Sequence, residues 1–134
     1  MCKIDEEKKL RIWQKARVVD GYDSTNYRQD ACGAWIVYTD YQNRDSDYGW
    51  EIDHIYPVAR LKEANVSQQE IDDIKNLRPL NWRNNVSKAS DFPSYRAVFV
   101  ADGNRNVSTE KELIVNRETR ETIKEHFKDY NIGW

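Results

Sequence analysis

Gly49-Trp50-Glu51-Ile52-Asp53-His54-Ile55 and, further along, Asn76-Leu77-Arg78-Pro79-Leu80-Asn81-Trp82-Arg83-Asn84-Asn85-Val86-Ser87-Lys88 are the segments on which the fold turns. In the first, Trp50 to Tyr56 alternates. Trp50, Ile52 and His54 fall on one side of an extended chain, and Glu51, Asp53 and Ile55 on the other. Pro57 stops the run. In the second, Leu77 to Leu80 reads as a short edge strand because Pro79 cannot donate to a ladder, and a helix starts at Asn81 or Trp82 and reaches about Ala89. The expectation is a strand, a returning strand and a helix that bring Asp53, His54 and the Asn84-Asn85 pair into one neighbourhood.

Those residues suit phosphodiester hydrolysis, which needs a water nucleophile, a group to take its proton, and positive charge at the phosphate and the leaving oxygen. A histidine has an ordinary pKa near 6.5 and is matched to proton abstraction at neutral pH, so His54 is the candidate general base. Hard divalent cations prefer oxygen ligands, and Mg²⁺ takes only one or two from the protein. The Asp53 carboxylate and the Asn85 carbonyl oxygen fit that demand, with Asn84 the competing choice for the second ligand. Asn76 is assigned positioning: its amide holds the loop before the second strand against the strand that bears His54. Glu51 either supports this group or pairs with an arginine.

Asp53-His54, then Asn76-Leu77, then Asn85-Val86-Ser87-Lys88 resemble the three elements of the HNH endonucleases. That family's ββα-metal (His-Me finger) fold uses an Asp/Glu-His pair, a loop Asn and a helix His or Asn. The spacing from Asn76 to Asn85 and the lysine three places after Asn85 are also typical. The resemblance covers about a third of the chain, residues 50–91. It implies an α+β domain with a ββα-metal core, and a metal-dependent nuclease that acts on DNA and leaves 5′-phosphate and 3′-hydroxyl ends. Two departures stand out. Many members clip the helix start with a Cys-x-x-Cys zinc site, whereas this chain has Asn81 and Asn84 there, so no structural zinc is expected and packing of Trp82 and Trp50 should replace the clip. The last motif residue is Asn85 rather than His, which favours Mg²⁺, with Mn²⁺ as the second choice.

Net charge is −2, unhelpful for a nucleic-acid enzyme, whose affinity comes from neutralising phosphates with Lys and Arg. Its distribution is more favourable. Residues 77–96 are net basic and carry Arg78, Arg83 and Lys88, the expected phosphate contacts, whereas residues 44–53 are net acidic. Double-stranded DNA is the expected partner, and RNA stays open.

The chain has 134 residues, 39% of them hydrophobic and 33% charged, with five Trp and eight Tyr, which is enough for one core in a single domain over residues 1–134. Apolar runs long enough for a membrane span are absent and residues 1–7 lack the apolar stretch of a secretory signal, so a cytoplasmic protein without a membrane partner is expected. Cys2 and Cys32 are expected as free thiols, a single disulfide being the alternative. Around the core motif the patterns predict an amphipathic helix over Glu6–Val19, a strand over Ala34–Thr39 and a short helix opened by the Ser67 capping box. Strands follow at Tyr95–Val100 and Glu112–Val115, then a last helix capped by Asn116 with Ile123, Phe127 and Tyr130 inward. Arg28, Asp30, Arg44 and Asp47 read as local ion pairs and caps, and His126 as structural. Two other functions compete with the nuclease: a module on the same fold that binds nucleic acid or protein without cutting, and a colicin-like toxin nuclease.

Overall fold

The computed structural model describes residues 5–134. Cys2 lies outside the described residues, and Cys32 is a buried free thiol. Among the described residues the fold mixes five α-helices with three antiparallel strand pairs.

Helix α1 (Glu6–Trp13) opens on Asp5, whose side chain accepts from the Lys8 N–H, and carries Glu6 and Glu7 in its first turn where negative charge favours the helix dipole. It buries Ile12 and Trp13. The expected continuation to Val19 does not form. Arg17 instead exchanges two backbone hydrogen bonds with Gln29, of 2.8 and 3.0 Å, so its peptide groups are satisfied by strand pairing. β1 (Tyr27–Gln29) pairs with β2 (Trp35–Val37); the latter is shorter than predicted because Tyr38–Asp40 turns into a 3-10 helix.

β3 (Trp50–His54) and β4 (Leu77–Asn81) form the central hairpin, registered so that Trp50 faces Asn81, Asp53 faces Arg78 and His54 faces Leu77. Close approach is built into its entry: a Cβ at Gly49 would lie 1.9 Å from the Asn43 carbonyl oxygen, so only glycine fits. The long connection contains α2 (Val58–Glu63), α3 (Gln68–Ile71) and a 3-10 turn at Ile74–Asn76. α3 is capped by Ser67 as predicted. α4 (Trp82–Lys88) follows β4 without a loop because Asn81 caps it, accepting from the Arg83 N–H.

β5 (Ser94–Asp102) and β6 (Arg105–Ile114) make a hairpin closed by Gly103-Asn104, with Gly103 at φ +65°. A positive φ at the first central residue is the demand of a two-residue II′ turn. The stretch left between the strands predicted at Tyr95–Val100 and Glu112–Val115 is instead the end of β5, the turn and most of β6. β6 is half-exposed or exposed throughout, and its alternation is broken by the exposed run Glu110–Glu112, which weakens the pattern that marks a strand. α5 (Arg117–His126) begins at the Asn116 cap and buries Ile123, with Phe127 just beyond it. The tail packs back: Tyr56 Oη donates to the Gly133 carbonyl at 2.6 Å and Trp134 lies against Tyr56 and Phe92.

The apolar interior has two parts with the β3–β4 hairpin between them. Leu80 joins Tyr56, Leu61, Phe92, Ile123 and Phe127 on one side, while Trp50 and Leu77 join Ile12, Trp13 and Ile36 on the other. The hairpin is thereby held from both sides, which stiffens whatever its strand ends carry. No helix among the described residues is long and apolar enough to cross a membrane.

Candidate functional site

α4 lies against β3 with two contacts in step. Asn85 Nδ2 donates to Glu51 Oε1 at 2.9 Å, and Lys88 Nζ meets Asp53 Oδ1 at 3.2 Å. The spacings match: positions two apart share a strand face, and positions three apart share a helix face.

Asp53 is buried and held from two sides. Besides Lys88, Arg78 Nε donates to its Oδ2 at 3.0 Å, and the Arg78 guanidinium sits 5.0 Å over the Tyr95 ring. Lys88 is fully buried and also donates to the His54 carbonyl at 3.3 Å. Burial pulls the Lys88 ammonium below its ordinary pKa, against the pull of Asp53. The expectation that Arg78 and Lys88 face a phosphate backbone is corrected here: both are turned inward, because a carboxylate buried in the core needs cationic partners. Of the three expected phosphate contacts only Arg83 stays at the surface, stacked near Trp82 and Phe99 and 3.3 Å from Asp47.

His54, at the end of β3, is half-buried, and its Nε2 lies 2.7 Å from Asp72 Oδ1. A carboxylate only accepts, so Nε2 carries the hydrogen, and in the neutral imidazole the lone pair is then on Nδ1. Gln68 Nε2 steadies the other Asp72 oxygen at 2.9 Å. Burial would raise the Asp72 pKa, but the hydrogen bonds from His54 and Gln68 bring it below the ordinary 3.8. The stability gained from this contact is therefore present above that pH and is lost as pH falls through the lowered value. Asn76 is fully buried beneath: its Oδ1 accepts from the Tyr56 N–H at 2.8 Å, and its Nδ2 donates to the Tyr56 and Ile71 carbonyls. It clamps the chain two residues beyond His54.

Asn85 is fixed through its nitrogen alone, and its Oδ1 accepts no hydrogen bond among the described residues. Glu51, which holds it, is itself gripped by Arg44 through bonds of 2.6 and 3.0 Å, so both roles considered for Glu51 coincide. Asn84 is different. Its Oδ1 accepts from the Val98 and Phe99 N–H groups, and its Nδ2 donates to Asp30 and to the Phe99 carbonyl, which exhausts the amide inside the core.

Asp30 replaces the missing clip. One of its oxygens accepts from the Cys32 and Ala34 N–H groups and the other from the Asn81 N–H and Asn84 Nδ2. The start of α4 is thus tied to the β1–β2 hairpin by hydrogen bonds, and not by the Trp50–Trp82 packing expected: Trp50 packs in the core with Trp13 and Tyr41, and Trp82 Nε1 donates to the Ser46 carbonyl. Burial pushes the Asp30 carboxyl above its ordinary range, although the four donors pull the other way. The folded state then binds the proton more tightly than the unfolded chain, so this group's contribution declines as pH rises from 3.8 through the raised value. Asp30→Asn should destabilise the protein in urea unfolding, because an NH₂ would face two N–H groups, at roughly 1–3 kcal/mol for each donor left unpaired.

Asp72, Glu51 and Asp30 are the site residues that sequence reasoning missed or left open. His126, read as structural, meets the Glu70 carbonyl at 3.1 Å. Comparison with known proteins finds no matching family model, no matching curated protein and no matching solved structure.

Proposed function

We propose that this protein is a metal-dependent endonuclease of the HNH type, hydrolysing DNA phosphodiester bonds at a ββα-metal site formed by β3, β4 and α4. One observation carries the reading. His54 and Asn85 are each held through one side-chain nitrogen by a carboxylate, Asp72 and Glu51, which leaves Nδ1 of His54 and Oδ1 of Asn85 free to act.

The donor set fits a hard divalent cation. Asp53 and Asn85 offer only oxygen, and a positive group already lies against the Asp53 oxygen, where Lys88 Nζ touches Asp53 Oδ1 and the His54 carbonyl. Asp53 and Asn85 would hold Mg²⁺ or Mn²⁺ in competition with Lys88 and Arg78, each of which holds one Asp53 oxygen. When bound, the metal supplies charge stabilisation at the phosphate and the departing oxygen. The chain's own residues do the rest. His54 Nδ1 takes the proton from water while Asp72 fixes the tautomer and stabilises the imidazolium that forms. Glu51 keeps the Asn85 amide from flipping, Asn76 fixes the strand end below His54, and Arg83, in the first turn of α4, is the surface cation for the DNA backbone.

Purified protein should nick supercoiled plasmid with Mg²⁺ or Mn²⁺ and stop with EDTA; failure with every divalent metal would overturn the reading. Asp72→Asn should cost about 10–100-fold in kcat with KM little changed, the usual effect of losing a group that orients a site side chain. A second reading, a module that binds nucleic acid or protein without cutting, is favoured by the neutralisation of Asp53 by Lys88 and Arg78. It predicts a gel shift and no nicking. The colicin-like toxin alternative shares the chemistry and would differ in requiring a cognate inhibitor protein.

A further inference from the structure

A cleft of ≈ 540 Å³ opens between the end of α1, the turn at Ile74–Asn76 and the first turns of α5. Its charged lining is Arg11, Lys15 and Lys75 against one carboxylate, Glu118, in a protein whose net charge is −2. Among the described residues none of these three cations forms a salt bridge, while Arg44, Arg78, Arg83 and Lys88 all do. Arg11 and Lys75 are exposed. Lys15 directs its ammonium onto the Ile74 and Leu77 carbonyls and so binds the end of α1 to the turn at the cleft.

The cleft and the candidate site are joined through shared elements. Leu77, which follows the turn at Ile74–Asn76, is the cross-strand partner of His54, and Lys8 of α1 donates to the carbonyl of Asp72, the residue that holds His54. A concave surface whose cations form no salt bridge, on elements that also hold the proposed catalytic histidine, suits a polyanion that runs past the cut.

We propose that this cleft binds the phosphodiester backbone of the nucleic acid flanking the cut site, with Arg11 and Lys75 as the phosphate contacts and Lys15 as the residue that fixes its wall. The choice of ligand rests on the nuclease reading above.

The test is the double variant Arg11→Gln/Lys75→Gln. Binding to a fluorescein-labelled DNA duplex, and to an RNA duplex of the same sequence, is followed by anisotropy in EDTA over a salt series. Cleavage is assayed separately with Mg²⁺. Binding of one or both duplexes should weaken roughly tenfold or more near 0.1 M salt, and the slope of log K against log salt should flatten by about 1.8, ~0.9 for each contact removed. The duplex that shows this change identifies the backbone bound. The urea midpoint should not move, and KM should rise with kcat unchanged. An unchanged slope alongside His54-dependent cleavage overturns the cleft alone. A flattened slope without cleavage by the wild type overturns the nuclease reading and keeps the cleft as a backbone groove. No binding and no cleavage overturns both.

Discussion

Asp53→Ala is expected to destabilise the protein by about 3–5 kcal/mol, because it leaves Arg78 and Lys88 buried without their shared carboxylate. That is a large part of a typical folding free energy of roughly 5–15 kcal/mol. Urea unfolding should show the midpoint falling steeply with the slope retained. Lys88→Met serves as the contrast. Asp53 keeps Arg78, and a long apolar side chain refills a fully buried slot, so the loss should be much smaller. A near-neutral Asp53→Ala would show that the buried ion cluster does not hold the hairpin to α4. Because Asp53 anchors the fold, lost activity in this variant cannot identify it as a ligand.

His54→Ala separates chemistry from folding. The ring is half-buried and its side chain bonds only to Asp72, so stability should shift by no more than about 1 kcal/mol, the scale of a partly exposed ion pair. Plasmid cleavage should fall roughly 10²–10⁴-fold, the contribution of a positioned general base. Cleavage undiminished in this variant would remove His54 from the mechanism and with it the role of Asp72.

The parts of the fold that were legible beforehand are those with local causes. β3 showed in its alternation, β4 in the short run Leu77–Leu80, α4 in a helix start at Asn81 or Trp82, and α3 and α5 in the Ser67 and Asn116 caps. The parts that were not legible depend on pairing across the chain. Asp30 reads as a local ion pair or cap, and nothing near it announces hydrogen bonds to Asn81 and Asn84. Asp72 follows a short helix and reads as a surface acid until the fold brings it to His54. Arg78 could be placed only once the register set it opposite Asp53. Lys88 was readable in principle: three residues after Asn85, it shares that residue's helix face, so if one meets β3 the other must as well. The expected role as a phosphate contact pointed Lys88 outward instead, since Lys is rarely buried unless paired.

In the proposed site Asp53 and Asn85 would hold one divalent ion beside His54, and titration with Mn²⁺ followed by EPR reads that binding. The wild type should bind one ion. Asn85→Ala should weaken binding markedly, and Lys88→Met, which removes the competing ammonium, should bind at least as tightly as the wild type. A protein that binds no Mn²⁺, or whose affinity is the same with and without the Asn85 amide, would contradict the account.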